Sequence, residues 1–365
     1  MAQTLQLDDL PDLARGAAVL GTGGGGDPYI GLLLVAAELE RGRTITMLDP
    51  QELDDDALVV ASAFMGAPSV VIEKIPNGDE PVIALRRLEQ HLGRSADAII
   101  PMECGGLNSM IPLLVAARTG LPIVDGDGMG RAFPELQMET FGVYGVSGSP
   151  IAICNEREHV AVLDTGSDNR SMEWYARGVT IRMGGVSYIA EYPMSGADVK
   201  RTAIPRTMSL ALELGRVIRL AREQHQDPFE ALADCLAGTL YGHGHTLVEG
   251  KVVDVDRRSA DGFVRGTARI ATFDGSRTVE LTFQNEHLMA RDGERLLAIV
   301  PDLITVLDAE SAAPITTEAL RYGQRVRVFA ISTPPIMRTP EALEVFGPRA
   351  FGLDLDWTPV EHLLP

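Results

Sequence analysis

Between Asp27 and Val124 the chain alternates apolar runs of strand length with runs of helical spacing, and no other feature constrains its fold as strongly. Residues 28–41 read as a helix, 44–48 and 57–63 as strands, and 81–92 as a helix. A strand at 97–101, a helix at 109–119 closed by Gly120, and a strand at 121–124 repeat the pattern. This alternation predicts an α/β domain with a Rossmann-like, largely parallel sheet covered by helices on both faces. Strand-like runs at 151–154 and 159–163, a short helix at 172–177 and a long one at 208–223 extend it, so the domain is expected over 1–235. After Gly238 the pattern changes. LVEGKVVDV, GFVRGTARIATF, RTVELTFQNEHLMA and RLLAIV are apolar runs punctuated by Asp274-Gly275 and Asp292-Gly293, which is hairpin chemistry. A β-rich domain is expected over 236–335, with 336–365 and a short helix at 341–346 returning to the first domain.

The chain's 365 residues are 45% hydrophobic and 23% charged, a balance that predicts folded, globular structure. Lys plus Arg number 32 against 51 Asp plus Glu, and the net charge of -19 repels nucleic-acid backbones and anionic membrane surfaces. The expected partner is a small-molecule substrate, with no nucleic acid and no membrane. Cys104, Cys154 and Cys235 have no CxxC spacing, so neither a disulfide framework nor a cysteine zinc site is expected. The acidic start MAQTLQLDDL lacks the pattern of a secretory signal, which points to a cytoplasmic protein.

Three loops each follow a predicted parallel strand: FMGAPS at 64–69, MECGGLNS at 102–109 and VDGDGMGRAFPE at 124–135. Loops at the carboxyl ends of such strands converge on one edge, where ligands bind. Glu103, Asp125 and Asp127 are therefore expected as neighbours, with glycines that let backbone amides approach a ligand. Close carboxylates drive their pKa values apart, so one serves as base while another keeps its proton. Arg131 suits a substrate carboxylate or developing negative charge. The plainer reading is that Asp and Gly build tight turns and Asp127 caps a helix.

GTGGGGDPY at 21–29 meets the GxGxxG spacing of a dinucleotide loop, and Asp49 stands 23 residues beyond Gly26, where a ribose-binding acid would sit. Against this, residues 8–20 read as a helix, and Asp27 would repel a pyrophosphate. Cys104, set among acids, is a weak nucleophile. His243 and His245 are candidate metal ligands alongside Asp125 and Asp127, or else solvated turn residues. At least one of Asn285, Glu286 and His287 is expected to reach the site from the second domain, while Pro301 and Asp302 read as a strand-ending turn or a domain-interface pair.

GTGGGGDPY, ECGGLN, VDGDGMGRAFPELQM, FQNEHL, VPDLI with PITTEALRYGQRV, and GPRAFG resemble, in that order, the S-methyl thiohydantoin desulfurase family, linked with the hydantoinase and oxoprolinase group. The resemblance implies hydrolysis of the methylthio group from an S-methylated thiohydantoin to a hydantoin and methanethiol, in catabolism of sulfur-containing histidine derivatives such as ergothioneine. Gly23, Gly24, Gly25, Gly26, Asp27, Glu103, Gly105, Gly106, Asn108, Asp125, Asp127, Arg131, Glu135, Asn285 and Glu286 fall on its motifs. His243, His245 and Cys104 depart from them. Roles expected from the chemistry are Glu103 or Asp125 as general base, Asp127 as acid, and the 23–26 amides with Arg131 as anion contacts. Asp27, Asn108, Glu135, Asn285 and Glu286 are the remaining expected substrate contacts. No nucleotide is expected. A divalent metal, with the aspartates as ligands, stays open. So does a hydantoinase-type partner beside an expected homo-oligomer. Two other classes remain: an NAD(P)-dependent oxidoreductase using the glycine loop, and a non-catalytic accessory subunit of a hydantoinase or oxoprolinase complex.

Overall fold

The apolar runs of the first half become ten strands: β1 (Gln3–Thr4), β2 (Thr46–Leu48), β3 (Leu58–Gly66), β4 (Ala98–Pro101), β5 (Ile123–Val124), β6 (Gly126–Asp127), β7 (Ile151–Cys154), β8 (Val160–Leu163), β9 (Val186–Ser195) and β10 (Ile204–Pro205). The computed structural model describes residues 2–74, 76–260 and 263–363. Eight strands form one sheet in the order β1-β2-β5-β4-β3-β9-β7-β8, and β6 pairs separately with β10. Strands β2, β5, β4 and β3 run parallel. The crossover helices Glu80–Leu92 and Ile111–Thr119 each carry proline in the first turn and end at a left-handed glycine, Gly93 or Gly120. Val60 and Ile99 pack against Leu85, Leu88 and Val115 on one face. On the other, Val59, Ala61 and Ile100 join Ile153 and Ile189, so these strands read as continuous apolar runs.

The sheet is mixed, which corrects the expectation of a largely parallel, Rossmann-like one. Strand β9 lies antiparallel to β3 from Leu58 opposite Ser195 to Gly66 opposite Val186, and β7 is antiparallel to both β9 and β8. The sequence VSYIAEYPMS hides this strand because Ser187 and Glu191 interrupt its apolar character, although both are fully buried. The helix before it is longer than expected, Asn169–Arg182, and the chain reverses through Gly184 and Gly185, at φ of 101° and 92°.

Residues 10–20 are a helix, Leu10–Leu20, packed antiparallel on the helix Thr207–Glu223. A Cβ on Gly16 would stand 1.7 Å from the Ala211 carbonyl oxygen, and one on Gly215 1.7 Å from that of Asp12, so backbone meets backbone at both crossings. Arg219 closes the interface on Asp12 at 2.8 Å.

The second half forms a curled, antiparallel seven-stranded sheet, ordered β15-β14-β13-β12-β11-β17-β16. Its strands are β11 (Gly244–Ala260), β12 (Phe263–Ala271), β13 (Thr278–Gln284), β14 (Glu286–Asp292), β15 (Arg295–Ile299), β16 (Leu303–Asp308) and β17 (Arg325–Ile331). Gly275 and Gly293 hold positive φ in the two Asp-Gly turns. Gly262, at the head of the GFVRGTARIATF run, lies outside the described residues. RTVELTFQNEHLMA is two strands, broken at Asn285 in the left-handed region, φ 57°. The C-terminal segment divides between the two sheets: Phe346, in the helix Pro340–Phe346, lies 5.0 Å from Phe133 beside the first sheet, whereas Val360 joins the core of the second. Asp302 anchors it by accepting from Trp357 Nε1 and the Val360 amide. Among the described residues no helix is long and apolar enough to cross a membrane.

Candidate functional site

The carboxyl ends of β3 and β4 open into a tight cavity of about 50 Å³, and the start of β14 closes it from the second sheet. Glu103 lies two residues past the end of β4 and is 2% exposed. Its Oε1 accepts from Asn108 Nδ2 at 2.8 Å and its Oε2 from the Phe133 amide at 3.2 Å. Asn108 is held in turn by the end of β3, where the Phe64 amide donates to its Oδ1 at 2.7 Å. Burial pushes the Glu103 carboxyl well above the usual carboxylate range, and the neighbouring Glu286 and Asp127 push it further, against the two hydrogen bonds.

Glu286 enters from the other side. The left-handed Asn285 turns the chain there, pinned by its Oδ1 accepting from the Val264 amide and by Thr317 Oγ1 donating to its carbonyl. Glu286 is 3% exposed and its Oε2 has no hydrogen-bond partner among the described residues. Burial raises its pKa to about 8, with the Arg131 guanidinium and the Gly25 amide opposing the rise. The cavity thus holds two buried carboxyls that each disfavour ionisation of the other.

Arg131 stands behind this pair, fully buried, and does not line the cavity. It donates to the carbonyls of Ala132, Asp302 and His287 and to Thr22 Oγ1. One side chain thereby ties the 124–135 loop to the glycine loop and to the second sheet. Burial lowers its pKa to about 10, opposed by Glu286 and Asp302. His287 beside it is buried and held neutral, its pKa depressed to about 3 by burial and by Arg131.

The glycine run is a layer between the two sheets. The carbonyls of Thr22, Gly23 and Gly25 accept from the amides of His287, Thr317 and Leu107, respectively. The bare Gly24 leaves the space that the Glu286 carboxylate fills, and Gly106 is forced to be glycine by the Gly26 carbonyl, 2.2 Å from where its Cβ would be. Of the run, Gly25 alone lines the cavity; Gly23 and Gly24 are buried behind it, and Gly26 and Asp27 line a separate opening of about 370 Å³. A helix rather than a strand precedes the run. Asp49 caps the turn Pro50–Glu52 and pairs with Arg206. A dinucleotide loop needs a strand before it, which this run does not have, and Asp49, although directly after β2, is taken up by its own turn and by Arg206.

Glu103, Asp125 and Asp127 do not share the cavity. Asp125 accepts from the Ser209 amide at 2.9 Å, in the first turn of the helix Thr207–Glu223. Asp127 accepts from the Cys104 amide and, at 2.9 Å, from the Gly130 amide, which sets the backbone on both sides of Glu103 and Arg131. Its pKa is raised to about 7 by burial against these bonds. Cys104 is buried, its thiol pushed up by burial and by Asp127. The His243 and His245 rings lie 6.4 Å apart, and among the described residues no group of three or more His, Cys, Asp and Glu could hold a metal ion.

Asn108, Glu135, Asn285 and Glu286 do line the cavity, so residues expected from both halves of the sequence meet there. Arg177 also lines it, and sequence reasoning missed it. It bonds Glu173 one helical turn earlier and the Pro134 carbonyl at 2.8 Å, fixing the wall formed by Phe133, Pro134 and Leu136. The Glu-x-x-x-Arg spacing was the available signal.

The family model described as S-Me-THD-like, N-terminal domain, matches residues 8–165, and that described as S-Me-THD-like, C-terminal domain, matches 167–360. No curated protein matches the chain. A crystal structure of a protein from Chromobacterium violaceum is similar, with 26% identity and a TM-score of 0.81 over 98% of this chain and 100% of that one.

Proposed function

The chain belongs to the S-Me-THD-like family, and from that premise we propose that it hydrolyses an S-methyl thiohydantoin to a hydantoin and methanethiol. The observation that carries the proposal is the pair of buried carboxyls, Glu103 and Glu286, on opposite walls of one small cavity. The carbon bearing the methylthio group is amidine-like, so its hydrolysis needs a base for water, an acid for the ring nitrogen and a proton for the leaving sulfur.

Glu286 is the base in this reading, because Arg131 and the Gly25 amide favour its charged form. Glu103 is the acid, because burial and the charge of Glu286 keep its proton on. Glu286 takes a proton from water as the oxygen bonds to carbon, and Glu103 gives its proton to the ring nitrogen. The tetrahedral carbon then releases its hydroxyl proton to Glu103 as the carbonyl forms, and the departing sulfur takes the proton from Glu286. Water and substrate become hydantoin and methanethiol, and both carboxyls return to their starting states.

Asp127 and Arg131 are positioning residues in this scheme, Asp125 secures the neighbouring helix, and Asn108 and Asn285 orient Glu103 and the ring. The test is thiol release from an S-methyl thiohydantoin by the purified protein, before and after chelation. Release that survives chelation supports direct carboxylate catalysis. Release lost on chelation and restored by one metal moves water activation to that metal, and no release under either condition overturns the proposal.

A further inference from the structure

The cavity holding Glu103 and Glu286 is small, about 50 Å³, but two of its lining residues also face a second space. Glu135 and Arg177 line it and also line a wide cavity of about 1560 Å³. Arg177 is not a free cation at this junction. Glu173 and the Pro134 carbonyl hold its guanidinium, which lies 4.8 Å over the Phe263 ring. The junction is thus a boundary with held side chains, shared by the small cavity and the larger one.

The larger chamber sets an exposed apolar face beside exposed charged residues, among them Arg170, Arg182, Glu344 and Arg349. Trp174 is 72% exposed and Ile181 56%, two turns of the helix Asn169–Arg182 that should otherwise be covered. Phe263, the first residue of β12, and Leu343 and Val345, from the helix Pro340–Phe346, also line it. The chamber is therefore built from both sheets, as the catalytic cavity is, and the two share a boundary.

We infer that the wide cavity is the substituent subsite of the same active site, and that the substrate ring carries a bulky apolar group of aryl type. This rests on the desulfurase reading. A large substituent on a ring seated between Glu103 and Glu286 that is directed toward Glu135 and Arg177 meets beyond them a surface that includes Trp174, Phe263 and Ile181. Continuity with the catalytic cavity favours this occupant over a second copy of the chain.

The experiment compares S-methyl thiohydantoins carrying a methyl or a benzyl group on the ring, with the wild-type protein and with Trp174→Ala and Ile181→Glu. Calorimetric binding of the matching hydantoins and solution mass are measured alongside. The inference expects wild-type kcat/KM to favour the benzyl ring by about tenfold or more, and both variants to lose most of that preference. Equal turnover of the two rings, or a preference that both variants keep, overturns it. Variants that keep the preference but convert a dimer to a monomer assign the face to a second copy. If neither ring releases thiol, the desulfurase reading fails on its own. The inference then stands or falls on whether benzylhydantoin binds about tenfold more tightly than methylhydantoin and loses this in the variants.

Discussion

A Cβ atom on Gly24 would stand 2.0 Å from Oε1 of Glu286 and 2.6 Å from its Cγ. Gly24 is outside the left-handed region occupied by Gly23, Gly25 and Gly26, so alanine fits its backbone, and its nearest conflict is with the Glu286 side chain. Gly24→Ala should leave the protein folded and displace the Glu286 carboxylate. A displaced base lowers kcat by about 100-fold. Circular dichroism with steady-state kinetics checks this, and a variant with wild-type kcat would show that Glu286 need not occupy its present position.

Glu103→Gln and Glu286→Gln should each lower turnover by about 100-fold or more. With Glu286 titrating at about 8, wild-type activity should rise with pH toward a midpoint near that value, and the rise should vanish in Glu286→Gln. Stability moves the opposite way. Between the ordinary glutamate value of 4.5 and about 8 the folded state holds a proton the unfolded state has lost, so stability falls across that window and levels off above it. Melting temperatures followed through that window should decline in the wild type and decline less in Glu286→Gln.

Arg131→Met should act on both stability and titration. It strips donors from the buried carbonyls of Asp302 and His287 and from Thr22, at a loss of about 3 kcal/mol or more. It also removes the positive charge that favours ionised Glu286, so the rising limb of the pH profile should move above its wild-type midpoint. Arg131→Lys keeps the charge without the planar fork, and should lower the unfolding midpoint while leaving that limb nearer the wild-type position.

The helix pair Leu10–Leu20 and Thr207–Glu223 gives a prediction independent of chemistry. Gly16→Ala and Gly215→Ala each place a methyl group against a carbonyl, and each should destabilise by about 1–3 kcal/mol or more. Urea unfolding measures this. Unchanged midpoints would mean that the helices can separate without loss.

Much of this was legible in the sequence, and the failures have identifiable physical causes. The strand and helix pattern from Thr46 to Val124 could be read because β3, β4 and β5 are buried along nearly their whole length and each crossover helix begins with proline and ends with glycine. Strand β9 could not, since its buried Ser187 and Glu191 look like surface residues until their surroundings are known. Glu103 and Glu286, 183 positions apart, were both identifiable, but their meeting depends on how the second sheet docks. Asp125 and Asp127 resemble site residues by position, yet their oxygens are taken up by backbone amides. Asp and Gly in such a loop have the same sequence signature whether they serve a ligand or the chain itself.

The most direct test of the central claim is to run the reaction in water labelled with the heavy oxygen isotope and to follow both products, with wild-type protein and with Glu286→Gln. The account predicts methanethiol and hydantoin in equal amounts, labelled oxygen in the new carbonyl, and a loss of both products together in the variant. Thiol release without label in the ring, or full activity in the Glu286→Gln protein, would contradict it.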